Sequence, residues 1–570
     1  MDFHGGWPGR DDPVSGIGGN KQPSRRRVMA GVAWATPAIV GIGAAPALAA
    51  SARANSCVPH GTTSAVAGGR VLSGSVLGIN LDTVTGVDGL CVANNGAGDM
   101  TPQGWGTGPT AARQVVGDPT AFVNDIDAAA INDRAVIPAA TRLGVTDGAG
   151  LFTQYARAVE NGYQLAASGA VTQTGGVQPD LGSDAPTLAE VDLAHLVGTL
   201  LPAVTLSPVA NLRLQVGALW GRALWNACTG QVARDYLIGR LDTAWTSPAL
   251  ADLAHSATRT VGRLQAGVDQ LARGTNPGRV ALPLDALDAA LDELQTGLAS
   301  AAPTVQALSA DIDLADVRAA LTQPVTSADG IVGINPVTAG VRIDLGAALG
   351  PLNRRDPNTD LVLDAAAVTT ITGALTEAVS GTWLTGLKHQ VEQAIGLARV
   401  SGQVLVPITV QGQLALHVQV GFTDVPVAGL RDGTVTTTGT PDSTITTSST
   451  VLGGGLPPEL VDDVVATVAA AVLPAVGSTI ADRLTPTWAG VDTPARAVHD
   501  EGADLFSVLQ AHDVLSVTVN WQQSTEPGTT TPWVPTHEVA ALKLGVLGDR
   551  GGVQLLLGRA RVGPIGAWTR

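Results

Sequence analysis

The chain has 570 residues, is 45% hydrophobic but only 3% aromatic, and carries a formal charge of −16. That hydrophobic content supports a folded core and excludes a disordered chain. The acidity argues against nucleic acid and anionic lipid as partners, because both need a basic patch.

Residues 24–50 read "SRRRVMAGVAWATPAIVGIGAAPALAA". Arg25, Arg26 and Arg27 precede an apolar run over 28–45 that is broken by Pro37, Gly41 and Gly43. Ala47 and Ala49 then supply the small-x-small site that signal peptidases accept. Ser24 to Met29 fits the twin-arginine pattern, with Arg25 and Arg26 as its pair. The long polar region ahead and the weakly hydrophobic Ala/Gly core favour the route that carries folded proteins. A signal peptide over 1–49 is predicted, leaving a mature chain that starts near Ala50. An uncleaved anchor is the alternative, disfavoured by the prolines and glycines. Residues 1–49 hold five basic and three acidic side chains, a net of +2, so the remainder carries −18.

The three cysteines are Cys57, Cys91 and Cys228. In an oxidising compartment a Cys57–Cys91 bridge would staple the N-terminal segment, and three buried thiols are the other reading. No Cys/His spacing points to zinc.

Residues 64–80 are expected to be β-structure with glycine punctuation, 94–109 a loop, and 151–175 a short helix running into a strand. Val261, Leu264, Val268 and Leu271, then Leu284, Leu287, Leu291, Leu294 and Leu298, recur at helical spacing on either side of "GTNPG". They predict a central amphipathic pair of antiparallel helices. Strands are expected to return at Gly330, with a helix near 362–397.

Val404, Val406, Ile408 and Val410, then Leu414, Leu416, Val418 and Val420, alternate strictly about "QGQ" and predict a hairpin with one buried face. His417 lies in the opposite phase and is expected to face solvent. The Ser/Thr-rich stretch 434–450 reads either as exposed strand and turn or as a glycosylatable linker. Val461 to Val472 predict a helix after "LPPEL". The apolar stretch 461–476 holds Asp462, Asp463 and Pro474 and is expected to be too short to cross a bilayer. Three strands close the chain, around 515–521, 542–546 and 553–557. The expected fold class is α+β: β-rich antiparallel sheets with interspersed helices. Regions 50–215 (mixed β/α), 216–329 (helical) and 330–570 (α+β) are provisional, and 50–570 as one large domain is the alternative.

No G-x-S-x-G, S-x-x-K, H-E-x-x-H or phosphate-loop motif occurs, and lysine appears only at 21, 388 and 543. "HDE" at 499–501 sets a base beside carboxylates, although neighbours in a chain rarely share a site. Asp356, Asn358, Asp360 and Asp364 offer oxygens at the first, third, fifth and ninth positions of a calcium loop. Leu361 stands where glycine is needed and Ala367 where glutamate is needed, so an ordinary turn competes with that reading. No cofactor is expected.

"LFTQYARAVENGYQLAASGAVTQTG", "VRIDLGAALGPLNRRDPNTDLV", "LSVTVNWQQ", "VAALKLGVLG" and "GRARVGP", in that order, resemble the choice-of-anchor G family of actinobacterial surface proteins over roughly residues 60–566. The resemblance implies an exported envelope protein whose shared region is joined to different C-terminal anchors in different members. It brings no catalytic residues. This chain departs from the pattern after "RVGP", where no anchor or sorting motif is read, which leaves secretion or non-covalent wall association. The expected function is a non-catalytic structural, adhesive or binding role at the cell envelope or outside it. Cell-wall polymers or surface proteins are the expected partners, with no membrane contact after leader cleavage. The alternatives are an exported hydrolase acting on wall glycans and a self-assembling surface subunit.

Overall fold

A computed structural model describes residues 65–563, except for short connecting segments of which the longer are 127–140, 144–151, 178–186, 203–209, 274–281, 434–442 and 526–535. The predicted leader, with Arg25, Arg26, Ala47 and Ala49, lies outside the described residues, as do Cys57 and Cys228.

Strands β1 (Ala65–Val76), β2 (Ile79–Asn80), β3 (Gly89–Asn94), β4 (Met100–Trp105), β5 (Arg113–Val115), β6 (Asp118–Asp125), β7 (Thr141–Leu143), β8 (Thr153–Ala158), β9 (Tyr163–Gly169) and β10 (Thr187–Asp192) lead into helix α1 (Leu193–Leu200). β11 (Ala210–Gly217), β12 (Leu219–Asn226), β13 (Gln231–Ile238) and β14 (Leu241–Thr246) precede helices α2 (Pro248–Arg273) and α3 (Asp285–Leu294). Next come β15 (Leu298–Ser300), β16 (Thr304–Asp311), α4 (Ala315–Thr322), β17 (Val325–Thr326), β18 (Val332–Asn335), β19 (Gly340–Asp344), α5 (Leu345–Leu349) and β20 (Thr359–Leu361). A helical stretch follows: α6 (Ala365–Thr376), a π-helical turn (Glu377–Leu384) and α7 (Thr385–Leu397). The rest is β21 (Arg399–Val410), β22 (Gln413–Pro426), α8 (Val427–Arg431), β23 (Thr444–Val451), α9 (Pro458–Leu484), α10 (Ala489–Ala511), β24 (Leu515–Thr525), β25 (Thr536–Val546) and β26 (Val553–Gly563).

Among the described residues the strands form four antiparallel sheets. The first runs β20-β24-β25-β26-β1-β3-β4, the second β17-β18-β19-β14-β11-β10-β7, the third β13-β12-β9-β8-β6-β5 and the fourth β15-β21-β22-β23. The described residues fall in one compact unit, in which the three provisional regions share sheets. The fold class is α+β, β-rich, with helices interspersed.

The first and third sheets pack face to face over small side chains: Ala65, Ala67, Ala156, Ala166, Ala223 and Ala560 are all fully buried there. The approach is close enough that a Cβ on Gly221 of β12 would fall 2.0 Å from the Gly558 carbonyl oxygen of β26. The larger core lies between the sheets and the helices, where Trp245 meets Phe506 edge-on at 6.0 Å.

Several expectations need correction. Residues 153–169 are a strand hairpin, β8 and β9, with no helix. β8 is buried on both faces, so the alternation that would identify a strand is missing. The loop expected over 94–109 contains β4, and the helical region expected from 216 opens with three strands. Helices α2 and α3 exist, but α2 packs on α10 and α3 on α9, so they are not a mutual pair. Leu298 belongs to β15. Helix α9 continues through Pro474 to 27 residues, and by length and composition alone it is long enough to cross a membrane. Its Val464, Val468, Val472 and Val476 stripe is buried in the core.

Candidate functional site

The calcium-loop residues do not converge. Asn358, at φ 60°, exchanges two hydrogen bonds with the Gln522 backbone on β24, donating through Nδ2 at 3.0 Å and accepting at Oδ1 at 2.8 Å. Asp360 accepts from the Thr518 hydroxyl at 2.6 Å, and Asp364 caps α6 by accepting from the Ala367 N–H at 2.8 Å. The Asp356 carbonyl accepts from the Thr359 hydroxyl, closing a turn. These contacts fasten β20 to the edge of β24 and start a helix. No group of three or more His, Cys, Asp or Glu side chains suited to a metal occurs among the described residues.

Cys91 is a buried thiol, and burial pushes its pKa up to about 12, which keeps it protonated; its expected partner Cys57 lies outside the described residues. "HDE" also comes apart, because residues 499 and 501 point about 200° apart on α10. Glu501 is buried and accepts from the Trp245 indole at 3.0 Å and from the Ala249 N–H, in the first turn of α2, at 3.2 Å.

Two charged clusters hold sheets together. Arg70, fully buried, donates to the Leu72, Trp105 and Leu81 carbonyls at 3.0, 2.6 and 2.9 Å and so ties β1 to β4 and to the turn at Leu81–Thr83. Arg559 pairs with Glu538 and lies over the Trp105 ring at 4.6 Å. On the second sheet, Asp242 pairs with Arg240 at 2.8 Å and with Arg342 at 3.7 Å, and faces Asp344 across the strands. Asp344 is committed as the cap of α5, and Asp242 is only 1% exposed, so this neighbouring pair of carboxylates presents no acid and base to a substrate.

A cavity of about 180 Å³ opens where the end of α6 and the π-helical turn meet α10. Leu375, Val379 and Ala495 form its apolar floor, while Thr376, Ser380, Arg496 and His499 supply its polar atoms. Ser380 lies in the π-helical turn, and such turns recur at functional sites. The Thr376 hydroxyl donates its one proton to the Thr372 carbonyl at 2.9 Å and lies 2.8 Å from His499 Nδ1. Which of the two donates depends on the imidazole tautomer: with the hydroxyl proton on the Thr372 carbonyl, Nδ1 donates to Thr376 and Nε2 of the neutral ring is left as an acceptor. Arg496 is exposed and makes no hydrogen bond or ion pair with a described residue, and the Ser380 hydroxyl is likewise free. The site is hidden in the sequence because Pro494 and small residues break the apolar period over 489–511. Arg496 and His499, three apart on one helix face, were the available signal.

The fourth sheet presents a different surface. Gln403, Gly421 and Thr446 stand side by side across β21, β22 and β23, as do Leu405, Gln419 and Ser448, and Pro407, His417 and Thr450. Gln419 donates to Gln403 at 3.1 Å. This face carries no charged side chain in those three rows, and β23 is exposed along nearly its whole length.

The chain matches, over residues 67–563, the model of a family described as a domain of unknown function (DUF8394). It belongs to that family. No curated protein and no solved structure matches the chain.

Proposed function

We propose that this is an exported cell-envelope or secreted protein that binds and does not catalyse, and that its ligand is a neutral glycan of the wall. The twin-arginine-like leader, the resemblance to choice-of-anchor G proteins and the charge of −16 support the location. The observation that carries the binding role is the fourth-sheet face, whose three rows hold Gln, Ser, Thr and His side chains beside Leu405 and Pro407 and no charge, on a strongly acidic molecule. Hydroxyl-rich neutral polymers match such a face without meeting the repulsion that anionic ones would.

Fractionation of producing cells, with the mass of the mature N-terminus, tests the location: recovery in wall or medium starting near Ala50 is expected, and a full-length form in the membrane would overturn it. Sedimentation with insoluble wall glycan tests the binding. Gln419→Lys with Ser448→Glu should abolish co-sedimentation, and unchanged binding would remove the face from the account.

A second reading, a self-assembling subunit, rests on the outer edge of β23. "TITTSSTV" holds no charge or proline to block strand addition by a second copy, and Leu414, Val451 and Leu452 are about half exposed beside it. Sedimentation velocity of the wild type and of Thr447→Lys would separate the readings, since a monomer in both excludes assembly through this edge.

A further inference from the structure

We propose that the cavity between the π-helical turn and α10 binds a small 2-hydroxy- or 2-amino-carboxylate with a short alkyl body. This proposal goes beyond the envelope reading and does not depend on it. Each part of the ligand answers a part of the site. Arg496, unpaired at the rim, supplies a forked cation that matches a carboxylate. The Ser380 hydroxyl, on the facing wall, is free to donate to the same carboxylate.

His499 is held by the contact between Nδ1 and Thr376, and in the Nδ1-protonated tautomer its Nε2 accepts a hydrogen bond from a hydroxyl or amine next to the carboxylate. The floor of Leu375, Val379 and Ala495 takes the alkyl group. At about 180 Å³ the cavity suits a molecule of a few heavy atoms. Asp492, one turn before Arg496, lies 3.9 Å from Lys388, whose charge offsets its own.

The ligand's donor distinguishes this site from a bare anion site. A plain carboxylate uses Arg496 and Ser380 alone, whereas a 2-hydroxy acid also satisfies Nε2. Lactate, propionate and lactamide separate these terms at nearly constant size. Calorimetry on the full mature chain, with sodium lactate balanced against sodium chloride at equal ionic strength, should show saturable binding. Lactate should bind about tenfold tighter than propionate, and lactamide should not bind measurably.

The Leu375 and Val379 methyl resonances should shift with lactate, which places the ligand. Arg496→Gln should weaken lactate at least about tenfold. Arg263→Gln, at an exposed arginine elsewhere on α2, should leave binding unchanged. His499→Phe should bring lactate and propionate to equal affinity. Thermal unfolding of each variant checks that it is folded. Absence of saturable binding by the wild type, equal binding of lactate and lactamide, or undiminished binding by folded Arg496→Gln would each overturn the proposal.

Discussion

Asp242 stands on β14 between Gln215 of β11 and Asp344 of β19, 1% exposed, with Arg240 and Arg342 as its counter-ions. Burial outweighs both arginines, with Asp344 adding to it, and its pKa is raised from 3.8 to about 6. The folded protein therefore holds this proton more tightly than the unfolded chain does. The stabilisation it gives is fully present below about pH 4 and is lost as pH rises through about 6, at roughly 1.4 kcal/mol per pH unit between them. Asp242→Asn, which fixes the neutral form, should remove that slope in urea titrations from pH 4 to 7.5. The variant should be more stable than the wild type by about 2 kcal/mol at the upper end. An unchanged slope would mean that Asp242 titrates normally.

Glycines divide the same way, by what surrounds them. Gly221→Ala forces a Cβ to 2.0 Å from the Gly558 oxygen and should cost about 2–4 kcal/mol, because backbone must move. Gly373→Ala, in α6 with nothing within 4 Å, should stabilise by about 0.5–1 kcal/mol. Chemical denaturation of the two variants should therefore move the midpoint in opposite directions. Neither environment was legible in the sequence, since "LWGRALWN" and "ITGALT" give no sign of which neighbour their glycine meets.

Among the elements, the hairpin of β21 and β22 was the most legible, because one face is buried and the other is not. Val404, Val406 and Ile408 pair with Val420, Val418 and Leu416 in the register that the alternation implies. The connecting residues Gln411 and Gly412 both have positive φ, 49° and 82°, the geometry of a type I′ turn. Glycine adopts it freely and glutamine does not. Gln411→Asn should therefore raise stability by about 0.5–1 kcal/mol, read as a shift in the urea midpoint with unchanged slope. A loss of stability would mean that the Gln411 side chain contributes a contact that outweighs its backbone strain. The β8–β9 hairpin was illegible for the converse reason. Its strands are covered on both faces, and small residues such as Ala156, Ala166 and Ala167 suit helix and strand patterns alike. Helix α10 went unrecognised because Pro494 and a row of small and charged residues break its apolar period.

For the whole molecule, sheet order is set by pairings that no local pattern encodes. β1, the first described strand, lies between β3 and β26, the last, with Val66 opposite Gly563 and Leu72 opposite Leu557. The first sheet cannot form across β1 and β25 until β26 has been made, and the third sheet packs on β26 through Gly221 and Gly558. The proposed export as a finished fold suits such a chain, because the first and third sheets cannot pack face to face before β26 is present. A chain ending at residue 552 would leave β1 and β25 as edges and strip the core of Leu555, Leu557 and Val562. With residues 1–49 attached, this truncated chain should be degraded to small fragments by mild protease and, on the proposed export route, should remain in the cytoplasm, while the full chain should resist protease and be exported. The full chain carrying Arg25→Lys and Arg26→Lys should fold and yet stay inside. Export of the truncated chain at the full chain's level would show that the leader feeds a route for unfolded protein. A protease-resistant truncated core would show that β26 is dispensable for closing the first sheet.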